Sequence, residues 1–446
     1  MRFLPAHATA PRMRRVIACA LAVCCAPAGA DDPATPLPDP LTLEYALSLA
    51  GEPHPDLQQA KAQVEQARAE RQRVEARTGV RAGIEASALW VDPAPLSPDT
   101  SHNDSNAKLV VRKRLYDFGR SRNRFAAADA DIKGREWLYI DVRRGRRIDI
   151  MRRYFEVLLA DLRYSRDNEA MAVVYVERDH LRKKRAQGEV SDVTVLRAES
   201  EYQAIRRARY ASDAARRITR ARLAEALNRP GDLPGHLAEP RLPQDGRTLS
   251  ALDKLTDQAL RDNPVLRALR ERLAAARKRV QAARAGGNPV LSGLLEGAKY
   301  HRLFGARDRW RAGVTLELPL FTGGAVQAEV ARALADVHVL EARFARRRMD
   351  VRQAVLDVWE RIQVLQVQRQ ETRALADYRD LYLDRSRALY QLEIRTDLGD
   401  SMVRLSEARL RRAETRYQLA LSWARLDALT GRPVFPLSKP APRQTR

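Results

Sequence analysis

Trp310-Arg311-Ala312-Gly313-Val314-Thr315-Leu316-Glu317-Leu318-Pro319-Leu320-Phe321-Thr322-Gly323-Gly324-Ala325 is the stretch on which the fold turns. Its first part has a period of two: Trp310, Ala312, Val314, Leu316, Leu318 and Leu320 alternate with Arg311, Gly313, Thr315, Glu317 and Pro319. That pattern is a strand with one apolar and one polar side. Beyond Gly323-Gly324 the period changes. From Ala325 to Leu398 there is neither Gly nor Pro, and Val351, Val355, Val358, Ile362 and Leu365 step by 4, 3, 4 and 3. This heptad spacing predicts coiled-coil packing, with Val326, Val330, Leu334, Val337 and Phe344 extending the seam toward the strand. An unbroken helix of that length would run roughly 110 Å.

The same sequence of events occurs earlier in the chain. Leu115-Tyr116-Asp117-Phe118-Gly119 answers Leu320-Phe321-Thr322-Gly323-Gly324, and a second Pro-free segment follows from Arg120 to Gln187, interrupted by Gly134 and Gly145. Leu41-Thr42-Leu43-Glu44-Tyr45-Ala46-Leu47, running on to His54-Pro55, answers Leu252 to Leu260, running on to Asn263-Pro264. Glu225-Ala226-Leu227-Asn228-Arg229-Pro230 answers Asp427-Ala428-Leu429-Thr430-Gly431-Arg432-Pro433. The offsets, about 209, 205 and 202 residues, predict a duplicated half of roughly 200 residues, 31–240 and 241–446, joined through the Pro/Gly-rich stretch 230–246. Each half reads helix, two strands (about 80–91 with 107–117, and 289–300 with 310–320), long helix, turn and return helix. Two strands make no stable sheet alone, so they must pair with the other half and with other chains.

The chain has 446 residues, 31% of them charged, with 80 Lys+Arg against 57 Asp+Glu. Residues 1–30 read as a secretory signal: Arg12, Arg14 and Arg15, an apolar run from Val16 to Ala26, then Ala28-Gly29-Ala30. Val16-Ile17-Ala18-Cys19 has a lipobox-like order, but three residues between Arg15 and Cys19 are too few for an apolar segment. Cys19, Cys24 and Cys25 all lie in this segment. Cleavage after Ala30 would remove four arginines and no acid, leaving 416 residues, no cysteine and a charge of +19. Disulfides and thiolate chemistry are then excluded. A basic balance first suggests nucleic acid, but export argues against it. Arg143, Arg144, Arg146 and Arg147 are interleaved with acids and apolar residues and read as a solvated helix face. No run of 18 apolar residues follows residue 30, which leaves a periplasmic, a secreted or an outer-membrane β-barrel protein open.

The signal segment, the duplicated halves, the order of elements and Leu-Phe-Thr-Gly-Gly at a strand-to-helix junction together resemble the TolC family of outer-membrane efflux proteins, over about 40–433. The resemblance implies a mainly α fold with a small β part. Long antiparallel coiled-coil helices form a periplasmic α-barrel, and four strands per protomer contribute to a trimeric twelve-stranded outer-membrane β-barrel. It implies the outer-membrane channel of a tripartite efflux or type I secretion system. Such a channel is a passive duct for small molecules or polypeptides, working with a periplasmic adaptor and an inner-membrane pump. Its setting is outer-membrane lipid, with an extension into the periplasm. Counting back from Tyr417, Asp397 and Asp400 fall where the family has the two aspartates that line the constricted entrance. At i and i+3 they would share a helix face. The Tyr and Arg that help tie that entrance shut are matched here by Ala388 and Glu393, so any latch must differ; Tyr390 and Arg395 are the candidates. Gly119, Gly323 and Gly324 are read as the strand-to-helix turns. The turns around Gly188, Glu189, Val190, Ser191, Leu398 and Gly399 are read as the adaptor contacts.

Arg81, Lys108, Arg112 and Arg114 against Glu85 and Glu317 on the polar strand sides predict an anion-favouring upper channel. No catalytic, cofactor or metal site is expected. The six histidines after residue 30 lack close pairing of the HExxH kind, and neither Gly-x4-Gly-Lys nor GxSxG occurs. The competing reading is an exported basic helical scaffold that binds anionic envelope polymers. It suits the charge better than a channel, but not the duplication or the four amphipathic strands.

Overall fold

The computed structural model describes residues 36–242, 247–302, 308–392 and 397–435. The elements are α1 (Leu43–Ser48), α2 (Pro55–Ala76), β1 (Arg81–Ser87), β2 (Asn106–Tyr116), α3 (Arg120–Ala186) and α4 (Asp192–Ala226), then α5 (Leu252–Asp262), α6 (Pro264–Arg284), β3 (Val290–Tyr300), β4 (Trp310–Glu317), α7 (Ala325–Gln391) and α8 (Leu398–Leu429). Two strands come out shorter than their periodicity suggests. β1 stops at Ser87 because the chain then turns into a loop, where Trp90 bridges Asn103 and stacks on His102 with ring centroids 5.3 Å apart. β4 stops at Glu317, two residues before Pro319, which has no N–H to give a ladder.

The four strands form one antiparallel sheet in the order β1-β2-β3-β4. The central β2–β3 ladder, from Asn106 opposite Tyr300 to Tyr116 opposite Leu291, joins the two halves of the chain. Directly opposed residues share a face. The register therefore sorts Ile84, Leu109, Leu295, Val314 and Leu316 onto one side. Arg81, Glu85, Lys108, Arg112, Glu296, Arg311 and Glu317 fall on the other. The apolar side is bare: Ile84 is 77% exposed, Trp310 73% and Val314 64%. β1 and β4 each keep one unpaired edge within the chain.

Glycines in the left-handed region turn the sheet into the helices. Gly119 has φ +95° and caps α3; Gly323 and Gly324 have φ +59° and +83°, and Gly324 caps α7. α3 and α7 are each 67 residues long, roughly 100 Å of continuous helix. α3 packs against α2, α4, α6 and α8, and α7 against α5, α6 and α8. The heptad seam is a real core: Val351, Val355, Ile362 and Leu365 are buried with Leu255, Leu266, Leu419, Trp423 and Leu426. Each such side chain contributes about 1.5–3 kcal/mol by leaving water.

A strap crosses α3 at mid-height. Leu41 pairs with the 236–238 segment through Leu41 N to His236 O and Ala238 N to Leu41 O, both 2.8 Å. The buried Tyr154 hydroxyl lies 2.8 Å from Leu41 O and 2.5 Å from Ala238 O. Here the expectation of a solvated arginine face is corrected. Arg144 donates to Gly431 O (2.6 Å), Arg146 to Ala50 O (3.3 Å), and Arg147 to Val434 O and Phe435 O (3.1 and 2.9 Å). Arg146 is buried and only Arg143 is exposed. Carbonyls of the turn after α1 and of the segment that follows α8 accept from these guanidinium groups.

Candidate functional site

Each half ends in a helical hairpin. In the first, Ser191 caps α4 by accepting from Thr194 N, and Gly188 takes φ +79° in the turn beside Glu189 and Val190. Above the turn, the Arg178 guanidinium lies between the rings of Tyr175 and Tyr202, 4.9 and 4.1 Å from their centroids and 3.6 Å from Glu199. This clasp ties α3 to α4. Val176, Val193 and Leu196 around it are 66–76% exposed, an apolar surface at the end of a highly charged hairpin.

The second hairpin carries Asp397 and Asp400, and the two carboxylates sit in different surroundings. Asp397 precedes α8 as its cap residue, with φ −87° and ψ 12°. Asp397 O accepts from Ser401 N at 3.1 Å and opens the helix, with Asp400 three residues on. Its Oδ2 accepts from the Tyr382 hydroxyl of α7 at 3.1 Å, while its Oδ1 is buried with no hydrogen-bond partner. One turn along, the buried hydroxyls of Ser386 and Ser401 meet at 2.9 Å and close α7 onto α8. Asp400 is exposed and pairs with Arg404 at 2.7 Å; this contact holds the Arg404 guanidinium above its usual range. Gly399, between the two acids, is set by packing. A Cβ there would stand 2.9 and 3.1 Å from the Val173 methyls of α3. Gly399 is thus level with Val173, some 14 residues, or roughly 20 Å along α3, short of the α3/α4 turn.

Tyr390 is 53% exposed near the end of α7, and Arg395, with Glu393, lies outside the described residues. The side chain that does touch Asp397 is Tyr382. Its available signal was position, four residues before Ser386 and so on the same face of α7.

At the strand–helix junction the two halves differ. Asp117 is buried and accepts from Ser121 N at 3.0 Å, with Arg114 3.6 Å away, while Asn288 donates to Phe118 O at 3.2 Å. These bonds anchor Gly119. Leu320 and Phe321, at the equivalent turn before Gly323, are 89% and 91% exposed. No group of metal-ligating side chains occurs among the described residues, and no helix there is long and apolar enough to cross a membrane.

Residues 255–432 match the family model for outer membrane efflux protein. No curated protein matches the chain. Among solved structures, a membrane protein from Pseudomonas aeruginosa superposes with a TM-score of 0.72 at 20% identity, covering 89% of this chain and 91% of that one. The CmeC outer membrane channel of Campylobacter jejuni gives 0.69 at 18%, covering 87% and 85%. The outer membrane protein VceC of Vibrio cholerae gives 0.68 at 20%, covering 87% and 96%. The structural likeness establishes the fold, and residues 255–432 are similar to the outer membrane efflux protein family.

Proposed function

We propose that three copies of this chain close a twelve-stranded barrel in the outer membrane, with α3, α4, α7 and α8 continuing it as a duct into the periplasm. The sheet carries this reading. Its apolar side is exposed, two of its edges are open, and no described helix offers another way through a bilayer. Closing β4 of one protomer onto β1 of the next would satisfy every edge and turn Ile84, Trp310 and Val314 toward lipid. The turns around Gly188, Glu189, Val190, Ser191, Leu398 and Gly399 would then meet a periplasmic adaptor that links the duct to an inner-membrane pump. The chain would act as a passive conduit for small molecules or polypeptides, its energy supplied by the partner. Asp397 and Asp400, three copies of each around one axis, would form the cation-sensitive constriction. Tyr390 and Arg395 remain candidate latch residues.

The test is outer-membrane fractionation together with planar-bilayer recording of the purified protein. The expected result is a heat-modifiable trimer with low conductance, blocked by divalent cations and relieved by Asp397→Ala with Asp400→Ala. A soluble periplasmic monomer without conductance would replace the channel with the scaffold reading. A channel whose cation block survives the double substitution would remove the aspartate gate alone.

A further inference from the structure

A cavity of about 810 Å³ lies where α3, α7 and α8 meet the 237–242 segment. One side is apolar: Leu158 and Leu162 from α3, Leu237 and Leu242 from the linker. The other is a bank of guanidinium groups: Arg369 and Arg373 on α7, and Arg409, Arg412 and Arg416 on α8. Their spacings, i to i+4 and i, i+3, i+7, place each set on one helix face.

Charge balance inside the cavity favours a negative guest. Of its two acids, Asp161 is held by Arg216 and Arg220 of α4 at 2.9 Å each, and Glu239 is bonded to Arg416. Neither remains to neutralise Arg373, Arg409 or Arg412. Arg373 and Arg409 reach only exposed acids outside it, Asp377 at 4.0 Å and Asp380 at 3.4 Å, and such exposed pairs are weak. Arg412 has no ion pair or hydrogen bond among the described residues. A wall of leucines facing the weakly committed Arg373, Arg409 and Arg412 complements a molecule with an apolar body and one anionic head.

We propose that this cavity binds a soluble amphiphilic anion, its apolar body against Leu158, Leu162, Leu237 and Leu242 and its carboxylate, sulfonate or phosphate ester held by Arg373, Arg409 and Arg412. The site is built within one protomer and does not depend on conduction, so it stands or falls separately from the channel reading.

Calorimetric titration of the full-length protein in lipid nanodiscs with 2-naphthalenesulfonate tests it, with 2-naphthylmethanol and inorganic sulfate as partial probes. The expected result is saturable binding of one sulfonate per protomer, at least about tenfold tighter than either partial probe, because only the sulfonate engages both walls. Arg373→Gln with Arg412→Gln is expected to weaken it by at least about tenfold, and Arg411→Gln, whose partner is the neighbouring Glu407, to leave it unchanged. Equal affinity for sulfonate and alcohol, absence of saturation, or undiminished binding in the double variant would each overturn the proposal. If the double variant fails to fold, the wild-type comparison of sulfonate with alcohol still decides.

Discussion

Single residues in this chain act through what the fold brings to them, and the arginines of α3 show it best. In the sequence, Arg143, Arg144, Arg146 and Arg147 look alike. Three of them are ties to Ala50, Gly431, Val434 and Phe435, partners about 96 to 288 positions away, which no local pattern can reveal. Burial holds the Arg147 guanidinium below its usual range, with Arg143 adding to the effect. Arg147→Met should therefore cost about 2 kcal/mol, the scale of hydrogen bonds from a charged donor. Arg411→Met, an exposed i,i+4 pair with Glu407, should leave the melting temperature unchanged. Thermal denaturation of the two variants checks the contrast; equal losses would restore the solvated-face reading. His54 is a second such case. Its Nδ1 accepts from Asp56 N at 3.2 Å and caps α2, which needs a neutral ring. Burial, then Arg146, lowers its pKa, against an upward pull from Asp56 and Asp149. The folded value thus lies below the unfolded one, near 6.5. The stabilisation is complete above the unfolded value and is lost as pH falls through the folded one. Melting temperatures between pH 7 and 5 should fall less for His54→Asn, which keeps the cap without titrating; parallel curves for the two proteins would refute this.

At the scale of elements, most of the architecture is written in periodicity. A period of two before Gly323-Gly324 and a heptad period after it are physical statements about which side chains can share a face, and the sheet and the α7 seam obey them. What periodicity leaves out is how elements end and where they touch. Asp397 and Asp400 look alike by spacing, yet the carboxylate of Asp397 meets Tyr382 across the hairpin while that of Asp400 stays in solvent beside Arg404. The strap at Leu41 and 236–238 is a single parallel bridge, too short for any period. Gly399 carries the sharpest consequence of element packing. α8 begins so close to α3 that a methyl group at Gly399 would overlap the branched, stiff Val173. In Gly399→Ala, the start of α8 must move away from α3, taking the Asp397–Tyr382 and Ser386–Ser401 contacts with it. Under the proposed function the channel should open: higher resting conductance in bilayers and greater antibiotic sensitivity of cells, reversed by Val173→Ala. Unchanged conductance in Gly399→Ala would separate this packing contact from the gate.

For the whole molecule the open quantity is charge, +19 once residues 1–30 are set aside. Much of it has a structural account. Besides the α3 ties, Arg220 donates to Gly235 O, Arg270 to Leu260 O and Arg261 O, Arg416 to Pro240 O, and Arg302 to Asp99 O. A carbonyl satisfies a guanidinium without cancelling its charge, so a chain fastened by arginine–carbonyl bonds accumulates positive charge that ion pairing would not. What remains functional is where uncancelled charge faces the proposed lumen. On the polar side of the sheet Arg81, Lys108, Arg112, Arg114 and Arg311 outnumber Glu85, Glu296 and Glu317, and the closest pair across β1 and β2, Arg112 with Glu85, is loose at 3.9 Å. A low-dielectric wall concentrates such an excess into an anion-favouring potential. The hairpin end carries the opposite sign in Asp397 and Asp400. Two constrictions in series show the selectivity of the narrower, so the wild-type channel should prefer cations while its entrance is shut. In the Gly399→Ala background the barrel should govern, and the reversal potential in a salt gradient should shift toward anions. Arg81→Glu with Arg112→Glu should shift it back, and more weakly at high salt, since exposed charges are screened within about 3 Å at 1 M. An opened channel that stays cation-selective and ignores both substitutions would place these arginines away from the lumen.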